Sequence, residues 1–173
     1  MNGMKHRRTE PILFEILRHR LQSATDEAAV AMKRVSGSPV ASEIGDLNVA
    51  IMDRDGACVF LGQYSISKGT TLSNVVKDIL VHYRDNPGIC EGDGFLCNDP
   101  YVGVMHQNDV ALVMPVFVEG KLTAWVGAEI HQIDVGGPTP GQVQLGARDI
   151  FGEAPLMPPL KIIENGVLRL DAE

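Results

Sequence analysis

The stretch NDPYVGVMHQNDVALVMPVFVEGKLTAWVGAEIHQIDVGG, residues 98–137, decides the reading of this chain. Two polar clusters, HQND at 106–109 and HQID at 131–134, bracket two apolar runs separated by a glycine-containing turn. The first run, 110–118, is rich in β-branched residues and the second, 122–130, alternates, which is the pattern of a β-hairpin. Each end of that hairpin carries a His and, three residues on, an Asp. Imidazole and carboxylate are ligand types for zinc, manganese and ferrous iron.

Register decides whether these groups meet. Side chains alternate between faces with period two, so a plain two-residue loop at Glu119-Gly120 would separate Asp109 from His131. A three-residue loop, Val118-Glu119-Gly120 with Gly120 left-handed, puts them on one face, and this is the register expected. That face holds Asp109, Ala111, Val113, Pro115 and Phe117 beside Thr123, Trp125, Gly127, Glu129 and His131. The even-numbered face is wholly apolar and is expected in a core.

Working outward, Pro11 opens an amphipathic helix in which Ile12, Leu13, Ile16, Leu17, Leu21, Ala24, Ala28 and Met32 recur at helical spacing. It is expected to run to Val35 and stop at Ser36-Gly37-Ser38-Pro39. Residues 47–52 and 57–61 read as strands around the turn Asp53-Arg54-Asp55-Gly56; a calcium loop would need ligands that do not follow it. A second helix is expected over 70–83, a short strand over 95–97, a helical turn at 149–153 and a hairpin, 160–163 with 167–170, about Asn165-Gly166. The sum is an α+β fold, a mainly antiparallel sheet with both helices packed on the apolar hairpin face. Residues 1–10 read as a disordered lead and 11–173 as one domain portion. An apparent hairpin at the end of the sequence leaves a strand edge in want of a neighbour, which predicts self-association or further polypeptide.

With 173 residues, 45% hydrophobic and 21% charged, the chain has the composition of an ordinary globular domain. A net charge of −7 with no basic run beyond Lys5–Arg8 argues against a nucleic-acid partner. No apolar run approaches the ~20 residues of a membrane span, and no signal-peptide core is present, so a cytoplasmic location is expected. The three cysteines, Cys58, Cys90 and Cys97, are an odd number without a CxxC pair and read as reduced, buried thiols. There is no GxxxxGK[ST] phosphate loop, so a nucleotide-using reaction would need another polypeptide.

The segments PILFEILRHRL, EIGDLNVAIMDRDG, GDGFLCNDPYVGVMHQND, PVFVEGKLTAW, HQIDVGGPTPG and DIFGEAPLMPPLKIIENG occur in a fixed order across 11–166. In them the chain resembles the hydantoinase B/oxoprolinase family, which includes the large subunits of acetone and acetophenone carboxylases. The family's subunit is much longer, so the resemblance is to its N-terminal part. It implies an ATP-dependent system in which a hydantoinase A-like partner subunit handles ATP and phosphorylates a carbonyl oxygen. The present type of subunit then opens a small cyclic amide, or carboxylates a ketone, at a divalent-metal site; a catalytically silent scaffold is the remaining alternative. His106, Asp109 and His131 match the positions that serve as metal ligands in the carboxylase branch. Gln132 stands where many hydantoinase and oxoprolinase members carry a second histidine, and Glu153-Ala154-Pro155 where the family usually has Glu-Gly.

On residues alone, His106 with Asp109 reads equally as a hydrogen-bonded loop end, and His131 as a structural histidine. Asp134 is a ligand, a turn-former before Gly136-Gly137, or, as preferred here, the group that orients His131 from behind. Glu129, on the site face, is a surface carboxylate or the catalytic acid–base group. Glu43 and Asp46 match a family motif and read equally as a loop-to-strand cap, Asp99 reads as a turn residue, His19 and His82 as surface positions, and Trp125 as packing. Manganese, zinc and iron all suit such ligands.

Overall fold

A computed structural model describes residues 10–139, 141 and 144–172. Its centre is a seven-stranded sheet with the strands in the order β2-β1-β5-β4-β3-β6-β7, every neighbour antiparallel. In chain order these are β1 (Leu47–Asp53), β2 (Cys58–Leu61), β3 (Gly94–Cys97), β4 (Asp109–Val118), β5 (Lys121–His131), β6 (Leu160–Glu164) and β7 (Val167–Leu168). Two helices, α1 (Pro11–Val35) and α2 (Ser67–His82), complete the α+β architecture. Neither is long and apolar enough to cross a membrane, nor is any other helix among the described residues. The expected disordered lead lies outside the described residues except for Glu10, which stands at the N-terminus of α1.

The hairpin meets the expected parity by a different route. Val118 pairs with Lys121, so the loop is two residues, with Glu119 and Gly120 both at positive φ (51° and 73°). Positive φ at both central positions is the mirror-image turn that matches strand twist. The pairing then slips, Phe117 opposing Leu122 but Val116 opposing Ala124, so Thr123 is an extra residue in β5. This bulge restores parity, and Asp109 faces His131 directly.

The layers differ from expectation. The odd-numbered face of β4–β5, not the apolar one, lies under α2: Ala111, Val113 and Trp125 pack with Leu72, Val75, Val76 and Ile79, joined by Ala50, Met52, Phe95 and Cys97. Small residues permit it. A Cβ at Gly127 would meet Leu72 Cδ2 and Met52 Cε at 3.0 Å, and one at Gly69 would meet Leu61 methyls at 3.1 and 3.2 Å. The even-numbered face turns toward α1, which covers only part of it. Ala29 is buried against Leu47 and Ala41, while Ala28 and Met32 with Leu112, Met114 and Val126 line an open apolar hollow of about 550 Å³. Val126 is 38% exposed. Helices therefore sit on opposite faces of the sheet, because the polar groups of the odd face find buried partners on α2.

The remaining connections follow local chemistry. Asp53 Oδ1 accepts the N–H groups of Asp55 and Ala57, closing the β1–β2 turn. Asp149 Oδ1 accepts those of Phe151 and Gly152, capping the expected helical turn, and Asn165-Gly166 makes the β6–β7 turn. A buried ion pair, Lys161 Nζ to Asp93 Oδ2 at 2.8 Å, ties β6 to the chain entering β3.

Candidate metal centre

The two polar clusters meet at the open end of the β4–β5 hairpin. Gln132 N–H donates to Asn108 O (2.8 Å), and Asn108 Nδ2 donates back to Gln132 O (2.9 Å), closing the strand ends on each other. Ser38 Oγ donates to His131 O, and His131 N–H donates to Asp46 O, which fixes β5 against the segment entering β1. The 98–109 loop is held from the other side. Asn98 Nδ2 donates to Gln107 O and Pro155 O, while Gln107 Nε2 donates to Ala154 O. His106 and Asp109 are thus carried on a braced loop; Asp109 N–H donates to His106 O, the local turn that places both side chains on one side.

His106, Asp109 and His131 each offer a ligand atom within 4.8 Å of the others. The two imidazoles stand edge to face with centroids 4.7 Å apart. His106 Nδ1 is 3.7 Å from Asp109 Oδ2, and His131 Nδ1 is 3.5 Å from both Asp109 Oδ1 and Asp46 Oδ2. Asp109 is fully buried, yet its Oδ2 accepts no hydrogen bond among the described residues. A buried carboxylate oxygen without a donor is costly. Two imidazoles and a carboxylate with that oxygen turned toward His106 are a donor set that fits a divalent cation.

Behind these groups lies a residue that the sequence reading missed. Lys68, 1% exposed in the first turn of α2, sends Nζ to Asp109 Oδ1 (2.5 Å), Glu129 Oε1 (3.2 Å) and Asp46 Oδ1 (3.3 Å). Burial pulls its pKa down, but the carboxylates of Glu129, Asp109 and Asp46 outweigh that and hold it above the ordinary lysine value. Its signal was in the sequence. Lys68 shares the i, i+4, i+7, i+11 stripe of Leu72, Val75 and Ile79, and a charge on an apolar stripe must find a partner inside. The helix begins at Ser67, three residues before the expected start, which places Lys68 in its first turn.

Two expectations require correction. Glu129 is neither on the surface nor on the wall of the cleft. It is fully buried beneath α2, ion-paired with Lys68 and accepting from Thr71 Oγ1, and burial pushes its carboxyl up to about 7 against the opposing pull of Lys68. Asp134 is exposed, and its two oxygens accept the N–H groups of Gly136 and Gly141. It is therefore the turn-former, and the acids beside His131 are Asp46 and Asp109. Asp46 is more than a cap: it joins the site. Asp99 accepts Tyr101 N–H, as a turn residue should, and Trp125 is fully buried against Phe95. Of the thiols, only Cys97 is buried, where desolvation pushes it up to about 12.

An open cleft of about 760 Å³ leads to the site, with Val40, Ile44 and Met105 as apolar wall and Asp46, Ser65, Ser67, His106 and Asp109 as polar wall. The Hydantoinase B/oxoprolinase family model matches residues 10–173. The chain belongs to that family. It is 30% identical over 172 residues to the acetone carboxylase alpha subunit of Xanthobacter autotrophicus, an alignment covering 99% of this chain and 22% of that one. The nucleotide-free structure of acetone carboxylase superposes with a TM-score of 0.89 at 29% identity, covering 98% of this chain and 22% of that chain. The ATP-dependent caprolactamase of Pseudomonas jessenii superposes with a TM-score of 0.84 at 27% identity, covering 95% and 28%. This family member thus spans about a quarter of the length of those relatives.

Proposed function

We propose that the chain forms the metal-holding part of an ATP-dependent enzyme that opens the C–N bond of a small cyclic amide, with ATP handled by a hydantoinase A-like partner subunit. The observation that carries this reading is the convergence of His106, Asp109 and His131 around a buried carboxylate oxygen that has no donor among the described residues. His106 and His131 would supply neutral nitrogen ligands and Asp109 the anionic one, to manganese, zinc or ferrous iron. When bound there, such an ion supplies Lewis-acid polarisation of a carbonyl oxygen or an activated water. The chain's own part is positional. Asp46, Ser65 and Ser67 offer hydrogen-bonding partners in a cleft also lined by the apolar Val40, Ile44 and Met105, a mixed lining suited to a small, partly polar molecule. Glu129 acts from beneath, holding Lys68 and through it Asp109. The kinship with a caprolactamase, whose name denotes a cyclic amide, supports the amide substrate.

A second reading is the equivalent portion of a ketone carboxylase. It is favoured by the tighter superposition on acetone carboxylase and by Gln132 in place of the second histidine. Metal analysis of the purified chain tests the shared site, and absence of bound metal would leave only a scaffolding role. Substrate-dependent ATP turnover by the reconstituted complex separates the two chemistries. Turnover with a cyclic amide and no bicarbonate supports hydrolysis; turnover with a ketone that requires bicarbonate supports carboxylation.

A further inference from the structure

Lys68 is the one buried cation among the described residues that contacts the site from within the fold, and its three contacts are unequal. The short one, 2.5 Å, is to Asp109 Oδ1; the contacts to Glu129 and Asp46 are 3.2 and 3.3 Å. The two oxygens of Asp109 therefore have different surroundings. Oδ1 is engaged by an ammonium from the protein side, while Oδ2 has no donor among the described residues and lies 3.7 Å from His106 Nδ1. Resting on the metal reading above, we infer that Lys68 is a positioning residue that locks the Asp109 carboxylate, reserving Oδ1 for itself and presenting Oδ2 alone to a divalent cation.

The surroundings are built for this. Gly69 and Gly127 bring the first turns of α2 against the sheet, where a Cβ at either position would press on neighbouring side chains at 3.0–3.2 Å. Thr71, one turn beyond Lys68, donates its hydroxyl to Glu129 Oε2, so Glu129 is fixed and in turn fixes the ammonium. One ammonium faces three carboxyl groups, an excess of acidic groups that favours a cation beside them. Partners of metal ligands orient them, and losing such a partner commonly weakens metal affinity by about 10- to 100-fold.

Charge and positioning predict opposite effects of removing Lys68. Removing a cation beside a cation site should tighten metal binding if Lys68 acts only through its charge. If it holds Asp109 in place, removal should weaken binding although the repulsion is gone. The test is titration of the 173-residue chain with Mn²⁺, reading free ion by its paramagnetic resonance signal, for wild type, Lys68→Met, Lys68→Met/Glu129→Gln and Asp109→Asn. The double variant removes one cation and one anion together, and so keeps the buried charge in balance should the single variant not fold. Affinity lowered about 10- to 100-fold in the folded Lys68 variants is the expected result. Unchanged or tighter binding in either overturns the inference, provided wild type binds and Asp109→Asn does not. Failure of wild type itself to bind Mn²⁺ overturns the metal reading, and the positioning role with it.

Discussion

Removing Lys68 should destabilise the metal-free fold more than removing either acid it holds. Asp109 and Glu129 are both fully buried, and Lys68 is the cation they share. In Lys68→Met both carboxyl groups remain inside without the cation they share, the situation in which breaking a buried pair costs about 3–5 kcal/mol. Asp109→Asn is milder, since Lys68 keeps Glu129 at 3.2 Å and Asp46 at 3.3 Å; the loss is one hydrogen bond to a charged group, about 1.5–3 kcal/mol. Against a total of about 5–15 kcal/mol for a domain, the first is a large fraction and the second tolerable. The sharper expectation is the sign of the coupling. In alkaline solution Lys68→Met/Glu129→Gln should be more stable than Lys68→Met alone, because the second change takes away a carboxyl whose ionisation burial penalises once Lys68 is gone. Urea denaturation in the presence of a chelator measures wild type, Lys68→Met, Glu129→Gln, their double variant and Asp109→Asn, with equal m-values as the condition for comparing midpoints. Additive losses, or a double variant weaker than the single one, would show that Lys68 contributes through packing and refute the electrostatic account.

Further outcomes follow from other parts of the fold. Gly127→Ala should cost about 1–3 kcal/mol, since the new methyl would meet Leu72, Met52 and Val113 at 3.0–3.1 Å; an unchanged urea midpoint would show that α2 can retreat freely. Asp109→Asn should abolish most metal binding while Asp134→Asn leaves it intact, because Asp134 serves the amides of Gly136 and Gly141; equal losses in a metal titration would restore Asp134 to the site. With burial raising the Cys97 thiol to about 12, thiol labelling at pH 8 should reach Cys58 and Cys90 and spare Cys97 until the chain unfolds, as counted by mass spectrometry.

Sequence by itself determined the elements and the meeting of the three candidate ligands. The β-branched and alternating runs gave both long strands, the helical spacing from Ile12 to Met32 gave α1, and Asn165-Gly166 gave the last turn, because these signals are local. Even the parity that brings Asp109 to His131 was legible, although a bulge at Thr123 produces it and not a longer loop. Which face is buried was not legible. An apolar stripe marks a surface that avoids water, but Asp109 and Glu129 can be interred when a distant helix brings Lys68 and Thr71, and that helix comes close enough because Gly69 and Gly127 lack side chains. The 41 residues between Lys68 and Asp109 hid which carboxylate the lysine would meet, although its place on the apolar stripe of α2 marked it for burial. Only the tertiary structure decided that Asp46 joins the site, that Glu129 supports it from beneath and that Asp134 turns the chain away. A carboxylate's role is set by which donors reach it, and those donors come from segments that only folding brings together.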